Sequence, residues 1–125
     1  MENNKKILII EDRPESFLPL AQALKKRGYG VSGFSTGEKG LDSFNAGKPD
    51  LVILDVVLPG MDGWEVLHKI KSGMKSRTVP VIMLTEKNEA QDKIKGYDLG
   101  ADYYISKPYD LNNVLRIIEA ALRRD

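Results

Sequence analysis

Cysteine is absent from the 125-residue chain, which excludes disulfides and thiolate chemistry. Histidine occurs once, at His68, so no paired imidazoles are available to hold zinc. Charge of one sign is lacking as well. Lys and Arg number 19 against 18 Asp and Glu, which argues against a broad basic surface for nucleic acid while leaving a local patch open. No apolar run approaches the about 18 residues that a membrane span needs. The polar start Glu2-Asn3-Asn4-Lys5-Lys6 does not read as a signal peptide. The expectation is a soluble, cytoplasmic protein with no membrane contact. Internal repeats, low-complexity tracts and linkers are also missing, and the length suits one domain over residues 1–125. A chain of this size can bury one core unaided by metal or disulfide.

What the chain does have is a rhythm of short apolar runs between helical patterns. Strands are expected at Lys6–Ile10, Tyr29–Phe34, Leu51–Leu54, Val79–Leu84 and Tyr103–Ile105. Ile7–Ile10, Leu51–Leu54 and Val81–Leu84 are apolar at nearly every position, as in parallel strands covered on both faces. The last helix has a clear apolar face in Leu111, Val114, Leu115, Ile118, Ala121 and Leu122. Val66, Leu67, Ile70 and Met74 give the third helix its own, and Asp62 with Glu65 marks its start as a capping box. Ser35 and Glu38 have the same spacing before the second helix. Pro14 suits a first helical turn, but Pro19 removes a backbone hydrogen bond, so a kink or a late helix start is expected.

Two helices look weak. The second contains Gly37 and Gly40, with Leu41 and Phe44 as its large apolar anchors. The fourth, around Asn88–Leu99, carries Gly96 and a thin stripe of Ala90, Ile94 and Tyr97. An interior glycine costs about 1 kcal/mol relative to alanine, and marginal helices are candidates for movement. Five β-then-α units imply right-handed crossovers and an α/β, doubly wound, five-stranded parallel sheet with helices on both faces.

Ligands of such sheets collect beyond the carboxyl ends of the strands. The first strand ends in Glu11 and Asp12, the third in Asp55, the fourth in Thr85, and the fifth runs into Lys107 and Pro108. Three carboxylates in one partly buried cleft repel each other unless a cation is present. Oxygen-only ligands with room for water suit Mg²⁺. A carboxylate held in this way can attack phosphorus and form an aspartyl phosphate. The three phosphoryl oxygens then each find a partner: Mg²⁺, Lys107, and the Thr85 hydroxyl with nearby backbone N–H groups.

These segments together resemble the response regulator receiver family. Ile7-Leu8-Ile9-Ile10-Glu11-Asp12, Asp55-Val56-Val57-Leu58-Pro59-Gly60-Met61-Asp62-Gly63, Thr85, and Gly100-Ala101-Asp102-Tyr103-Tyr104-Ile105-Ser106-Lys107-Pro108-Tyr109 stand in the family's order and spacing. The likeness covers essentially the whole chain. It implies the flavodoxin-like strand order 2-1-3-4-5, carried over from a chemotaxis member of the family. It implies that Asp55 accepts the phosphoryl group and that Glu11, Asp12, Asp55 and the Val57 backbone carbonyl hold Mg²⁺. Thr85 and Lys107 would contact the phosphoryl group, Thr85 and Tyr104 would act as the switch, and Val57 and Lys87 would tune its lifetime. The output surface would be the fourth helix, fifth strand and fifth helix.

Some positions depart from the common pattern. Glu11 replaces a frequent Asp, an ordinary variant, and Leu58 replaces a usual Met at conserved volume. Arg13 is expected either to weaken the metal site or to pair with Glu11 or Asp12. Glu86 is expected to narrow a partner's approach or crowd the phosphate. Apolar Val57 offers nothing to orient an attacking water, which predicts slow self-dephosphorylation.

The implied function is a phosphorelay module that takes a phosphoryl group from a sensor histidine kinase or phosphotransfer protein and changes its affinity for a downstream effector or an output domain outside the chain. It would act on itself without turning over a free substrate and would not bind nucleic acid directly; phosphorylation-dependent homodimers are among the assemblies the likeness allows. The alternative is a pseudo-receiver that serves as a phosphorylation-independent interaction module, with Arg13 and Glu86 as its support. A nucleotide- or flavin-binding protein fails on Glu11-Asp12-Arg13-Pro14, which puts carboxylates where a phosphate cradle needs glycine and backbone N–H groups. An aspartyl phosphatase lacks its second carboxylate, because that position is Val57. Blander roles compete at single positions. Asp12 with Glu15 has capping-box spacing, Tyr104 suits packing at the sheet edge, and Trp64 suits packing or a partner contact. His68 is expected on the solvent side, and Lys25-Lys26-Arg27 as a solvated helix end.

Overall fold

The computed structural model describes residues 4–123. Five strands alternate with five α-helices: β1 (Lys6–Ile10), α1 (Pro14–Lys26), β2 (Gly30–Phe34), α2 (Gly37–Ala46), β3 (Leu51–Leu54), α3 (Gly63–Ser72), β4 (Val81–Thr85), α4 (Ala90–Asp98), β5 (Tyr103–Ser106) and α5 (Leu111–Arg123). All strand pairs are parallel and the order is β2-β1-β3-β4-β5. This is the doubly wound α/β, flavodoxin-like fold.

Alternation within the central strands builds two cores. Ile7, Ile9, Leu51, Ile53, Ile82 and Leu84 face one side, against Leu20, Ala21 and Leu24 of α1 and Val114, Leu115, Ile118 and Ala121 of α5. Leu8, Ile10, Val52, Leu54, Val81 and Met83 face the other, against Phe44 of α2 and Val66, Leu67 and Ile70 of α3. The near-continuous apolar runs thus reflect two alternating faces that are both buried. Register follows, with Ile7 beside Leu51 and Ile10 beside Leu54. A one-residue slip would exchange the two faces along the whole strand.

Several local expectations need correction. Strand β4 begins at Val81, because a 3-10 turn at Ser76–Thr78 leads into Val79 and Pro80. Helix α3 stops at Ser72, where the Ser76 hydroxyl takes the Ile70 carbonyl at 2.6 Å, so Met74 is 81% exposed and no part of the buried face. Helix α2 is capped by Thr36, whose Oγ1 accepts from Lys39 N–H, not by Ser35. Helix α1 starts at Pro14 and runs through Pro19, so the start is not late. Pro19 lies on the solvent side, where water can satisfy the carbonyl it leaves free. Its N-cap is Arg13 without a side-chain cap, so Asp12 does not cap this helix. Asp62 does cap α3, accepting from Glu65 N–H at 3.0 Å.

The glycines of α2 are packing devices more than weaknesses. A Cβ at Gly40 would lie 2.4 Å from Ile10 Cδ1, and one at Gly37 would lie 2.7 Å from Val66 Cγ2. In α4 the expected stripe is overturned: Ile94 and Tyr97 are 61% and 51% exposed, Ala90 is exposed, and only Gly96 is buried. The one buried position of the helix has no side chain, while the half-exposed Tyr97 ring still meets Tyr104 at 6.4 Å between centroids.

Candidate functional site

The carboxyl ends of the strands gather the expected residues, and backbone bonds that extend the sheet fix Glu11, Asp55 and Lys107. Glu11 N–H donates to Phe34 O at 2.9 Å, Asp55 N–H to Ile10 O at 3.1 Å, and Lys107 N–H to Thr85 O at 2.9 Å. Glu11, Asp55 and Thr85 are buried, whereas Asp12 is exposed.

Lys107 joins the first and third strand ends. Its Nζ donates to Asp55 Oδ2 at 2.9 Å and to Glu11 Oε1 at 2.5 Å, with its side chain 7% exposed. The remaining Asp55 oxygen, Oδ1, accepts from Val57 N–H at 3.1 Å, and Glu11 Oε2 accepts from Arg13 N–H at 3.1 Å. Burial raises the Glu11 carboxyl above its usual range; the Lys107 hydrogen bond opposes this and the Asp55 charge adds to it. For Lys107 burial alone would lower the ammonium, but bonds to Glu11 and Asp55 prevail and its pKa is raised. Lys107 therefore stays charged as a fixed counter-ion.

Carboxylate oxygens of Glu11, Asp12 and Asp55 lie within 4.8 Å of one another. Three such groups against one buried ammonium leave an anionic pocket, and an all-oxygen donor set with one exposed member left open to water fits a hard divalent cation.

The loop after β3 is closely packed beside Asp55. Gly63 N–H donates to Val56 O at 2.8 Å, and a Cβ at Gly63 would fall 2.0 Å from the Asp55 carbonyl oxygen. Only glycine lets α3 start this close to Asp55. Gly60 adopts φ +74°, and Glu38 Oε2 of α2 accepts from Met61 N–H at 3.2 Å. The Glu38 strap across the loop was not foreseen, since a partner 23 residues away leaves no local pattern.

The Thr85 hydroxyl reaches neither the Asp55 carboxylate nor the Lys107 ammonium here. Its Oγ1 accepts from Lys87 N–H at 3.2 Å, while the Tyr104 hydroxyl donates to the Lys87 carbonyl. Thus Lys87 links Thr85 to Tyr104 through its backbone. The Tyr104 ring lies in a slot formed by Trp64, stacked at 6.4 Å between centroids, and by Gly96, where a Cβ would come within 2.8 Å of the ring. Lys95 Nζ sits 4.9 Å above the Trp64 ring. Trp64 is thus a packing partner of Tyr104.

The Arg13 guanidinium forms a salt bridge with neither Glu11 nor Asp12. Its Nη1 lies 3.1 Å from Glu86 Oε1, so the two unusual residues engage each other and the three carboxylates are left to cluster. Neither residue alone predicted this. His68 and the Lys25-Lys26-Arg27 end of α1 are exposed, as expected.

A doubly wound parallel sheet with a carboxylate cluster and a buried lysine at its carboxyl edge defines a class of α/β signalling modules. The family model for the response regulator receiver domain matches residues 7–119, and the chain belongs to that family. It is 40% identical over 121 residues to the alkaline phosphatase synthesis transcriptional regulatory protein PhoP of Bacillus subtilis, covering 97% of this chain and 50% of that protein. The chain spans about half the length of the curated relatives it matches. A CheY-like response regulator receiver domain protein from Methanospirillum hungatei superposes with TM-score 0.89 at 29% identity, covering 96% of this chain and 94% of that one. The receiver domain of a sensor histidine kinase from Pseudomonas aeruginosa, solved with a magnesium ion in its active-site cleft, gives 0.88 at 25% identity, covering 98% and 100%.

Proposed function

We propose that Asp55 is the phosphoacceptor of this receiver domain. The observation that carries the reading is the buried Asp55 carboxylate, held at one oxygen by Val57 N–H and at the other by Lys107, beside Glu11 and Asp12. These bonds orient the nucleophile before any donor arrives. Glu11, Asp12 and Asp55, with the Val57 carbonyl, are the residues that would hold Mg²⁺. When bound, that ion offsets the carboxylate charge and draws charge from the phosphoryl oxygens.

Asp55 contributes the attacking oxygen. Lys107 is placed to follow the phosphoryl group with its ammonium, and Thr85 can exchange its bond from Lys87 N–H for one to a phosphoryl oxygen. That exchange disturbs the Lys87 loop on which the Tyr104 hydroxyl depends, so Tyr104 is the element that carries the change to α4, β5 and α5. A charge step near −2 is large enough to bias such a local element. The phosphoryl donor is a histidine kinase or phosphotransfer protein, and the reader is an effector or output domain. Val57 and Lys87, beside the acceptor and the hydroxyl, set how long the group persists. The rival reading, a pseudo-receiver acting as a phosphorylation-independent protein-interaction module, has less support, because the Arg13 guanidinium pairs with Glu86 and does not neutralise the carboxylates.

Incubation with Mg²⁺ and acetyl phosphate, followed by intact-mass measurement, tests the proposal. A gain of one phosphoryl group that Asp55→Asn abolishes is expected; no gain by the wild-type protein would overturn it.

A further inference from the structure

The Arg13–Glu86 ion pair ties the loop after β1 to the loop after β4, directly beside Asp12 on one side and Thr85 on the other. The two side chains are 47% and 59% exposed, and both line a cavity of about 470 Å³ together with Lys107, Pro108 and Tyr109. An ion pair this exposed is weak and readily exchanged. A guanidinium also matches the oxygens of a phosphate better than it matches a single carboxylate contact.

We propose that Arg13 and Glu86 form a latch at the mouth of the site: an incoming dianionic phosphoryl group displaces Glu86 from Arg13, and the freed guanidinium positions the donor. This rests on Asp55 as phosphoacceptor. With an acyl phosphate as donor, an Asp55 oxygen forms the new bond to phosphorus. The bond from phosphorus to the acyl oxygen breaks, and its electron pair leaves with the carboxylate product. Arg13 touches no reacting bond; it is a positioning residue. Glu86 acts by competing with the donor for Arg13, so it sets how easily small anionic donors engage the guanidinium.

The test is a double-mutant cycle with Arg13→Gln, Glu86→Gln and both together, using acetyl phosphate at saturating Mg²⁺. Glu86→Gln should speed phosphorylation by about two- to fivefold, the range expected for an exposed ion pair, and Arg13→Gln should slow it by a similar factor. The gain from Glu86→Gln should vanish in the Arg13→Gln background. Equal gains in both backgrounds would mean a general field effect and overturn the latch, as would variants that match the wild type. Saturating Mg²⁺ removes any change that acts only through metal affinity. In metal-free protein the Arg13 side-chain NMR resonance should move in Glu86→Gln; an unmoved resonance also counts against the pair. If the wild-type protein takes no phosphoryl group while still binding Mg²⁺, the Asp55 reading falls and the latch with it. A phosphorylated wild type with an additive cycle removes the latch alone.

Discussion

Lys107 Nζ lies 2.9 Å from Asp55 Oδ2 while it also bonds Glu11, so one buried ammonium serves two buried carboxylates. The third carboxylate, Asp12, is exposed at the same cluster and adds charge that Lys107 does not match. Without a cation the pocket stores like-charge repulsion.

Asp12→Asn should therefore stabilise the metal-free protein, by about 0.5–1 kcal/mol, as expected for relief of a partly exposed like-charge contact. The same substitution should weaken stabilisation by Mg²⁺, which for a site filled at one hundred times its Kd amounts to about 2.7 kcal/mol. Urea unfolding with and without Mg²⁺ reads both effects. Stabilisation by Mg²⁺ equal to that of the wild type would remove Asp12 from the site.

Tyr104 gives a pH signature. Burial, followed by the charges of Asp92 and Asp55, raises its phenol to about 12 from an ordinary value of 10.0. The folded state thus holds this proton more tightly than the unfolded chain does. The resulting stability is present in full below pH 10 and is lost as pH rises towards about 12. Ultraviolet difference titration of the wild type against Tyr104→Phe should show one late-ionising phenol missing from the variant. A missing phenol that titrates near 10 would contradict the slot around Tyr104.

The central strands were legible because both faces of Ile7–Ile10, Leu51–Leu54 and Val81–Leu84 are buried, which leaves an unbroken apolar run. The strand-end residues were legible from the same boundaries, since each run stops where a polar group begins. Positions whose role depends on a distant partner were not. Gly96 read as a flaw in α4, yet it makes room for Tyr104; Glu38 read as a cap, yet it holds the loop at Met61. Arg13 and Glu86 were each suspect alone, and 73 positions separate them. Periodicity reports an element's own faces, whereas these contacts are made by the topology.

Two glycines should respond differently to alanine. At Gly63 the new Cβ would lie 2.0 Å from the Asp55 carbonyl oxygen and 2.7 Å from Val56 Cα, both backbone atoms that cannot give way. Gly63→Ala should cost about 3 kcal/mol or more, at the upper end of overpacking, and should shift the Asp55 loop. At Gly96 the clash is with the Tyr104 ring at 2.8 Å, and a ring can move. Gly96→Ala gains about 1 kcal/mol of helix propensity, so the net stability change should be small. The ring should instead leave its slot, lose the Lys87 bond and change Trp64 fluorescence. Thermal melts and emission spectra separate the two outcomes, and a large loss of stability in Gly96→Ala would show that Tyr104 is held rigidly.

At the opposite edge of the sheet, Lys71 of α3 collects the ends of three segments. Its Nζ donates to Arg77 O at 3.1 Å, to Val79 O at 2.7 Å and to Asp102 Oδ2 at 2.9 Å, and the same Asp102 oxygen accepts from Val81 N–H. The Lys71 side chain is only 11% exposed, so its removal takes the ammonium away from the part-buried Val79 carbonyl and Asp102 carboxylate. Lys71→Met keeps most of the aliphatic packing but loses the ammonium, and should cost about 2–3 kcal/mol, the scale of hydrogen bonds to a charged group. Because this staple sits at the amino ends of β4 and β5, Mg²⁺ binding and the rate of phosphorylation should be unchanged once the variant is folded. Denaturant unfolding and acetyl phosphate kinetics on the same sample decide it. A slowed reaction in a protein that still binds Mg²⁺ would mean that strain at Asp102 reaches Lys107 through β5.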